Sequence, residues 1–106
     1  MNDYIWISQE LINAKCWRQL KSDEKVLLFV LLINAKRSED GEVSGYCHFS
    51  SISELCKPEK TGMNRNMVVK ALLGLVHKGF VYFTVSTDGV TITIPAWGTY
   101  AREGME

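Results

Sequence analysis

The spacing of apolar residues changes along the chain and predicts the order of the elements. Residues 26–33 are apolar without interruption, and a helix of this kind must be covered nearly all round. We therefore expect a central core helix from Asp23 to about Lys36, with Ser22 as its N-terminal cap. A weaker helical pattern precedes it, over Ser8–Leu20.

A second helical pattern follows in the middle of the chain. We expect this helix to begin after a cap at Asn64 and to end near Lys78. A shorter helix precedes it, beginning at Ser51 and Glu54, which fit a capping box, and ending near Cys56 because a proline follows. The apolar stripe of the longer helix consists of Val68, Leu72, Leu75 and Val76.

Alternating residues predict strands near the carboxyl end. Phe80–Ser86 and Val90–Ile94 fit two strands joined at Asp88-Gly89, a strong turn signal. A further short strand fits within residues 42–49, bounded by turn residues. The order of elements is thus helix, strand, helix, helix, strand, strand.

This order, with certain residues, resembles the winged helix-turn-helix pattern of bacterial regulators. The resemblance implies an α+β fold that is mainly α, with three core helices, an N-terminal helical segment and a small antiparallel β-hairpin wing. We expect one domain over residues 1–106, with the helix-turn-helix at about 50–79 and the wing at about 80–95. The matching residues are Leu55, Thr61-Gly62, Asn64-Arg65-Asn66, Val68, Ala71-Leu72, Leu75 and Lys78-Gly79-Phe80-Val81.

Two segments carry a narrower resemblance. WRQLKSDEKVLLFVLLINAKR and ITIPAWGTYARE are similar to the N-terminal domains of phage replication organisers and of DnaD-type primosome proteins. In those domains an isoleucine-x-isoleucine strand is followed by a tryptophan and a tyrosine. The residues in those places are Ile92, Ile94, Trp97 and Tyr100. The resemblance implies a role in replication initiation.

Charge is balanced overall but unevenly distributed. Twelve Lys and Arg residues face twelve Asp and Glu residues, and this zero net charge argues against indiscriminate nucleic-acid binding. Residues 43–87, however, carry five basic and two acidic side chains. This local excess fits either a solvated face or a DNA-binding surface.

The candidate DNA contacts lie at the start of the longer helix of the motif, which enters the major groove in this architecture. Arginine can bind O6 and N7 of guanine, asparagine can bind N6 and N7 of adenine, and valine can touch a thymine methyl group. The candidates for base contacts are Arg65, Asn66, Val69 and Lys70. The candidates for phosphate contacts are Thr61, Asn64, Lys57, Lys60 and again Lys70.

Two features favour a protein partner. The tip of the hairpin, residues 86–89, has no cation and contains Asp88, so we interpret the wing as a structural hairpin. Val69 and Leu73 form a second apolar strip on the helix, beside Gly74, where a close approach is possible. We therefore expect a possible interface at Val69, Leu73, Gly74 and Trp6, in a homodimer or with another protein.

Catalysis has little support in the sequence. The three cysteines lack the paired spacing of a zinc site, and we find no nucleophile motif or phosphate loop. We expect no enzyme activity, no cofactor, no metal and no small-molecule substrate. The longest apolar run has eight residues, short of a membrane span, and no signal peptide is visible, so we expect a cytoplasmic protein without membrane contact.

Two functions remain open. In the first, the protein binds double-stranded DNA and acts in replication initiation or transcription regulation in a phage, plasmid or bacterium. In the second, the domain is a protein–protein interaction module, an adaptor or inhibitor that does not bind DNA.

Overall fold

The computed structural model describes residues 5–7, 9–13, 15–37 and 44–103. Its two longest helices have 13 residues each, α3 at Ser22–Asn34 and α4 at Arg65–His77. The shorter helical segments are α1 at Gln9–Asn13, α2 at Lys15–Arg18, a 3-10 helix at Ile52–Cys56, and α5 at Trp97–Tyr100.

The strands form two antiparallel sheets. Strands β1 (Ile5–Ile7) and β6 (Ala101–Glu103) pair with each other. The larger sheet has four strands in the order β2-β3-β5-β4. Its members are β2 at Lys36–Arg37, β3 at Gly45–Phe49, β4 at Tyr82–Ser86 and β5 at Gly89–Ile94.

One face of the larger sheet belongs to the hydrophobic core. In β5 the buried residues alternate with half-buried threonines, and β3 shows the same alternation along its whole pairing with β5. The leucines of α3 complete the core, while Val26 and Ile33 near the ends of that helix are exposed. The fully buried leucines of α3 are Leu27, Leu28, Leu31 and Leu32.

The predicted fold, a winged helix-turn-helix with three core helices and a two-stranded wing, was wrong. Within the described residues only α3 and α4 exceed five residues, and the segment after Ser51 forms a 3-10 helix of one to two turns. The hairpin does not stand alone, because β3 pairs with β5 over five residues and extends the sheet to four strands. Glu54 also departs from the predicted capping box, since its side chain accepts from the backbone N–H of Ser50 at 2.8 Å.

A buried ion pair joins the two long helices. Glu24 is buried on α3, and its Oε1 accepts from the backbone N–H of Lys21 at 2.9 Å and from Nζ of Lys78 at 2.6 Å. Helix α3 therefore begins one residue earlier than predicted, with Lys21 as its cap and Ser22 as its first residue. Gly74 of α4 lies directly over this carboxylate, and a Cβ atom there would overlap Oε2 of Glu24.

We expect Gly74→Ala to lower the free energy of unfolding by about 1–2 kcal/mol. At an exposed helix position, replacing glycine by alanine would instead raise the free energy of unfolding by up to about 1 kcal/mol. The sign of the change therefore tests the contact between Gly74 and Glu24. Urea unfolding followed by far-UV circular dichroism measures it. Lys70→Ala on the exposed face of the same helix is the control, and a more stable Gly74→Ala protein would contradict the packing.

Tryptophans fix the segments that flank the long helices. Trp17 packs edge-on against Phe29 of α3, with ring centroids 5.2 Å apart. Trp97 is fully buried and donates from Nε1 to the carbonyl oxygen of Leu32 at 3.0 Å. Both tryptophans therefore pack on α3. No helix in the described ranges is long and apolar enough to cross a membrane.

Candidate functional site

Helix α4 presents the candidate site, and its first turn is fixed by a side-chain cap. Oδ1 of Asn64 accepts from the backbone N–H of Met67 at 2.9 Å, which confirms the predicted cap. Four residues of the helix are buried in the core. These four are Val68, Ala71, Leu72 and Leu75. The opposite face therefore points to solvent from the first turn onward.

Three polar side chains in the first two turns of α4 occupy this solvent-facing surface, which we call the outer face of α4: Arg65, Asn66 and Lys70. All three are exposed, and within the described residues none has a hydrogen-bond or ion-pair partner. No acidic residue occurs on α4, so the charges of Arg65 and Lys70 are not neutralised along the helix. These side chains are free to bind a ligand.

The turn before α4 holds the expected phosphate contacts. These residues differ in whether their side chains are available to a ligand or already bonded within the fold. Lys57 is exposed. Lys60 is half-buried and donates to Oδ1 of Asn34 at the end of α3, at 3.1 Å. The hydroxyl of Thr61 donates to the carbonyl oxygen of Leu55 and accepts from the backbone N–H of Met63 at 3.2 Å. Lys60 and Thr61 are thus committed to contacts within the fold, whereas Lys57 is available.

An apolar groove of about 380 Å³ runs between α4 and the β4–β5 hairpin. Arg65 is the only charged residue among the described side chains that line it. Leu73 is 53% exposed there and Val85 is 74% exposed, which leaves a large part of the apolar lining open to solvent. The apolar lining consists of Ile52, Val69, Leu72, Leu73, Phe83, Val85 and Val90.

The second wall of this groove was not anticipated from the sequence. The sequence predicts the apolar strip of Val69 and Leu73, but it indicates only a structural hairpin for Phe83 and Val85 of β4. A signal for them was present, because residues two apart on a strand share a face. Phe83 pairs with Ile92 and Val85 with Val90, so both face the side of the sheet that carries the core.

The other residues proposed for an interface lie elsewhere. Gly74 is half-buried against Glu24 and does not line the groove. Trp6 belongs to β1, where it pairs with Arg102, and its side chain lies outside the described part of the chain.

The tip of the hairpin carries a negative charge. The hydroxyl of Ser86 donates to Oδ1 of Asp88 at 2.7 Å, and this hydrogen bond lowers the pKa of the Asp88 carboxyl. On the neighbouring strand, His48 contacts the hydroxyl of Thr91 and the carbonyl oxygen of Asp88. The tip is therefore held by internal contacts and repels phosphate at neutral pH.

Cys47 has the properties of a structural thiol. It is buried in β3, and burial raises its pKa to about 12. A thiol with so high a pKa is protonated at neutral pH and is a poor nucleophile or metal ligand.

Comparison with known proteins identifies no relative of this chain. No family model, curated protein or solved structure matches it.

Proposed function

We propose that the protein binds double-stranded DNA through the outer face of α4, and that it acts in replication initiation or transcription regulation of a phage, plasmid or bacterium. The observation that carries this proposal is the exposure of Arg65, Asn66 and Lys70 on one helix face without partners among the described residues. Such a role implies the cytoplasmic location expected from the sequence.

The chemistry of these side chains suits a DNA duplex. The major groove is wide enough to admit an α-helix, and the pairings of arginine with guanine and of asparagine with adenine are bidentate. Arg65 and Asn66 lie in the first turn of α4, where side chains of an inserted helix reach base edges. Lys70 and Lys57 flank this turn as contacts to phosphates.

The local charge also favours a phosphate-bearing partner. From Lys60 to Thr87 the sequence contains four basic residues and no acidic one. Two of these basic residues are committed, Lys60 to Asn34 and Lys78 to Glu24. Arg65 and Lys70 remain, so binding depends on few charges and we expect moderate affinity with a marked preference for sequence.

We expect Lys70→Ala to weaken binding to specific and scrambled duplexes alike, because a phosphate contact does not depend on sequence. The slope of the logarithm of the binding constant against the logarithm of the salt concentration should become less steep by about 0.9. Asn66→Ala should instead reduce the preference for the selected site, by about 1–3 kcal/mol. A duplex selected from a randomised pool and its scrambled version, compared by fluorescence anisotropy at several salt concentrations, provide the measurement.

Matched control substitutions distinguish the contribution of the outer face from the effect of removing any positive charge. Arg18 and Lys15 are exposed cations on α2, so Arg18→Ala and Lys15→Ala match Arg65→Ala and Lys70→Ala in charge. Equal weakening by the control substitutions would contradict the proposal, as would a failure of the wild-type protein to enrich any duplex from the pool.

A second candidate function is a protein-interaction module without DNA binding. The groove favours it, because an open apolar surface beside a single cation suits a protein partner better than a duplex. Salt distinguishes the two functions. Binding to DNA weakens steeply as salt rises, whereas burial of an apolar surface does not.

A further inference from the structure

Strand β4 forms an edge of the four-stranded sheet, and no described strand pairs with its outer side. Edge strands of natural proteins are usually protected by charged residues, proline, bulges or a covering element. The sequence of β4, YFTVS, has no charged residue and no proline. Its outer edge is therefore open to pairing with another strand.

The pairing of β4 with β5 determines which backbone groups are free. The hairpin has a two-residue turn, and Ser86 pairs with Gly89 beside it. In such a hairpin the hydrogen-bonded pairs alternate from the turn, so Ser86, Thr84 and Tyr82 bond to β5. The N–H and C=O groups of Phe83 and Val85 consequently point to the outer edge.

The same two residues direct apolar side chains to the groove. Phe83 and Val85 share the face of the sheet that carries the core, and both line the groove, where Phe83 is half-buried and Val85 is 74% exposed. A strand added beside β4 would thus meet free backbone groups at its edge and an apolar surface beneath it.

We propose that this strand is β4 of a second copy of the chain, and that the two copies form a symmetric dimer across their β4 edges. Antiparallel pairing about Thr84 places Phe83 of each copy opposite Val85 of the other. Because both residues have outward N–H and C=O groups, this register forms four hydrogen bonds between the copies. The side chains of Phe83 in one copy and Val85 in the other then contact each other and cover the grooves of both copies.

The composition of the strand favours a second copy as the occupant. A two-fold interface requires a surface that is complementary to itself. Strand β4 meets this requirement because Phe83 and Val85 pair with each other in both directions, and because the strand has no charged residue that would repel its own copy. An acidic or basic peptide would find no opposite charge on this neutral edge. The dimer does not depend on DNA binding, since its contacts lie on β4 and not on the outer face of α4.

The interface is small, so we expect association with a dissociation constant between roughly 1 µM and 1 mM. Sedimentation equilibrium of the whole chain over that concentration range should show a transition from the mass of one chain to twice that mass. Amide hydrogen exchange should show Thr84 protected at all concentrations, and Phe83 and Val85 protected only when the dimer is populated.

Val85→Pro is the decisive variant. It removes an N–H that points outward, so it spares the bonds of β4 to β5 while it eliminates two of the four bonds between copies. We expect it to weaken association by at least about tenfold. Val85→Lys should do the same by placing a charge at the edge. Ile33→Lys, at another exposed apolar residue, is the control and should leave association unchanged.

The outcomes separate this proposal from its alternatives. A wild-type chain that stays monomeric up to about 1 mM overturns the proposal, and it then leaves the edge to a different protein. A dimer that Val85→Pro does not weaken, or that forms without protection of Phe83 and Val85, overturns it as well. Far-UV circular dichroism and urea unfolding verify that each variant is folded, and Val85→Lys replaces Val85→Pro if the proline variant unfolds.

Discussion

Trp97→Ala is expected to remove about 3–5 kcal/mol from the free energy of unfolding. Trp97 is fully buried, and its ring lies over the backbone of Gly45 at the start of β3. Its Nε1–H donates to the carbonyl oxygen of Leu32, so the substitution leaves both a cavity and an acceptor without this donor. Domains of this size are stable by about 5–15 kcal/mol, and the loss is a large part of that total.

Urea unfolding followed by far-UV circular dichroism measures this loss without relying on tryptophan fluorescence. Trp97→Phe keeps most of the apolar volume but removes the hydrogen bond, and we expect it to cost less than half as much. Gly45→Ala tests the contact from the other side, because the new Cβ would lie 2.7 Å from Cγ of Trp97. An unfolding free energy of Trp97→Ala within about 0.5 kcal/mol of the wild type would show that Trp97 does not anchor the fold.

The locally determined elements were predictable from the sequence. Three features depend only on residues that are close together in the sequence: the cap at Asn64, the buried stripe of α4 and the turn between β4 and β5. A side-chain oxygen that bonds an amide three residues ahead needs no tertiary partner. The solvent-facing positions of Arg65 and Asn66 follow from the same helical period.

The contacts between distant residues were not predictable in this way. Cys47 pairs with Ile92, 45 residues away, and nothing in either strand alone specifies its neighbour. The short helix predicted near Ile52 is present as a 3-10 helix, in which the backbone N–H of Glu54 donates to the carbonyl oxygen of Ser51 three residues earlier. The four-stranded sheet thus arises from pairing between strands that are distant in the sequence.

The candidate site was likewise predictable only where it depends on residues that are close together in the sequence. The helical period identified which side chains of α4 face outward, but it could not show that Lys60 binds Asn34, 26 residues earlier in the chain. Nor could it show that the groove has a second wall on β4. The close approach expected at Gly74 is present, and its partner is Glu24 of α3 rather than a second protein.

The ion pair beneath Gly74 has an electrostatic consequence. Burial by itself raises the pKa of Glu24, but the hydrogen bonds from Lys78 and from the Lys21 backbone outweigh burial, and the pKa lies below its ordinary value of 4.5. A carboxyl whose pKa is lowered by folding stabilises the folded state above its unfolded pKa. That contribution is lost as the pH falls from about 4.5 through the folded pKa.

We therefore expect Lys78→Met to cost about 3 kcal/mol at pH 7, because it leaves the buried carboxylate of Glu24 without its cation. Lys70→Met, an exposed lysine on the same helix, should change stability by less than about 0.5 kcal/mol. Glu24→Gln keeps an acceptor for the Lys21 N–H but removes the charge, so its stability should fall less steeply than that of the wild type between pH 5 and about pH 3. Urea unfolding across this pH range measures both effects. If the wild type and Glu24→Gln lost stability in parallel on acidification, the ion pair would not be the contact that joins α3 to α4.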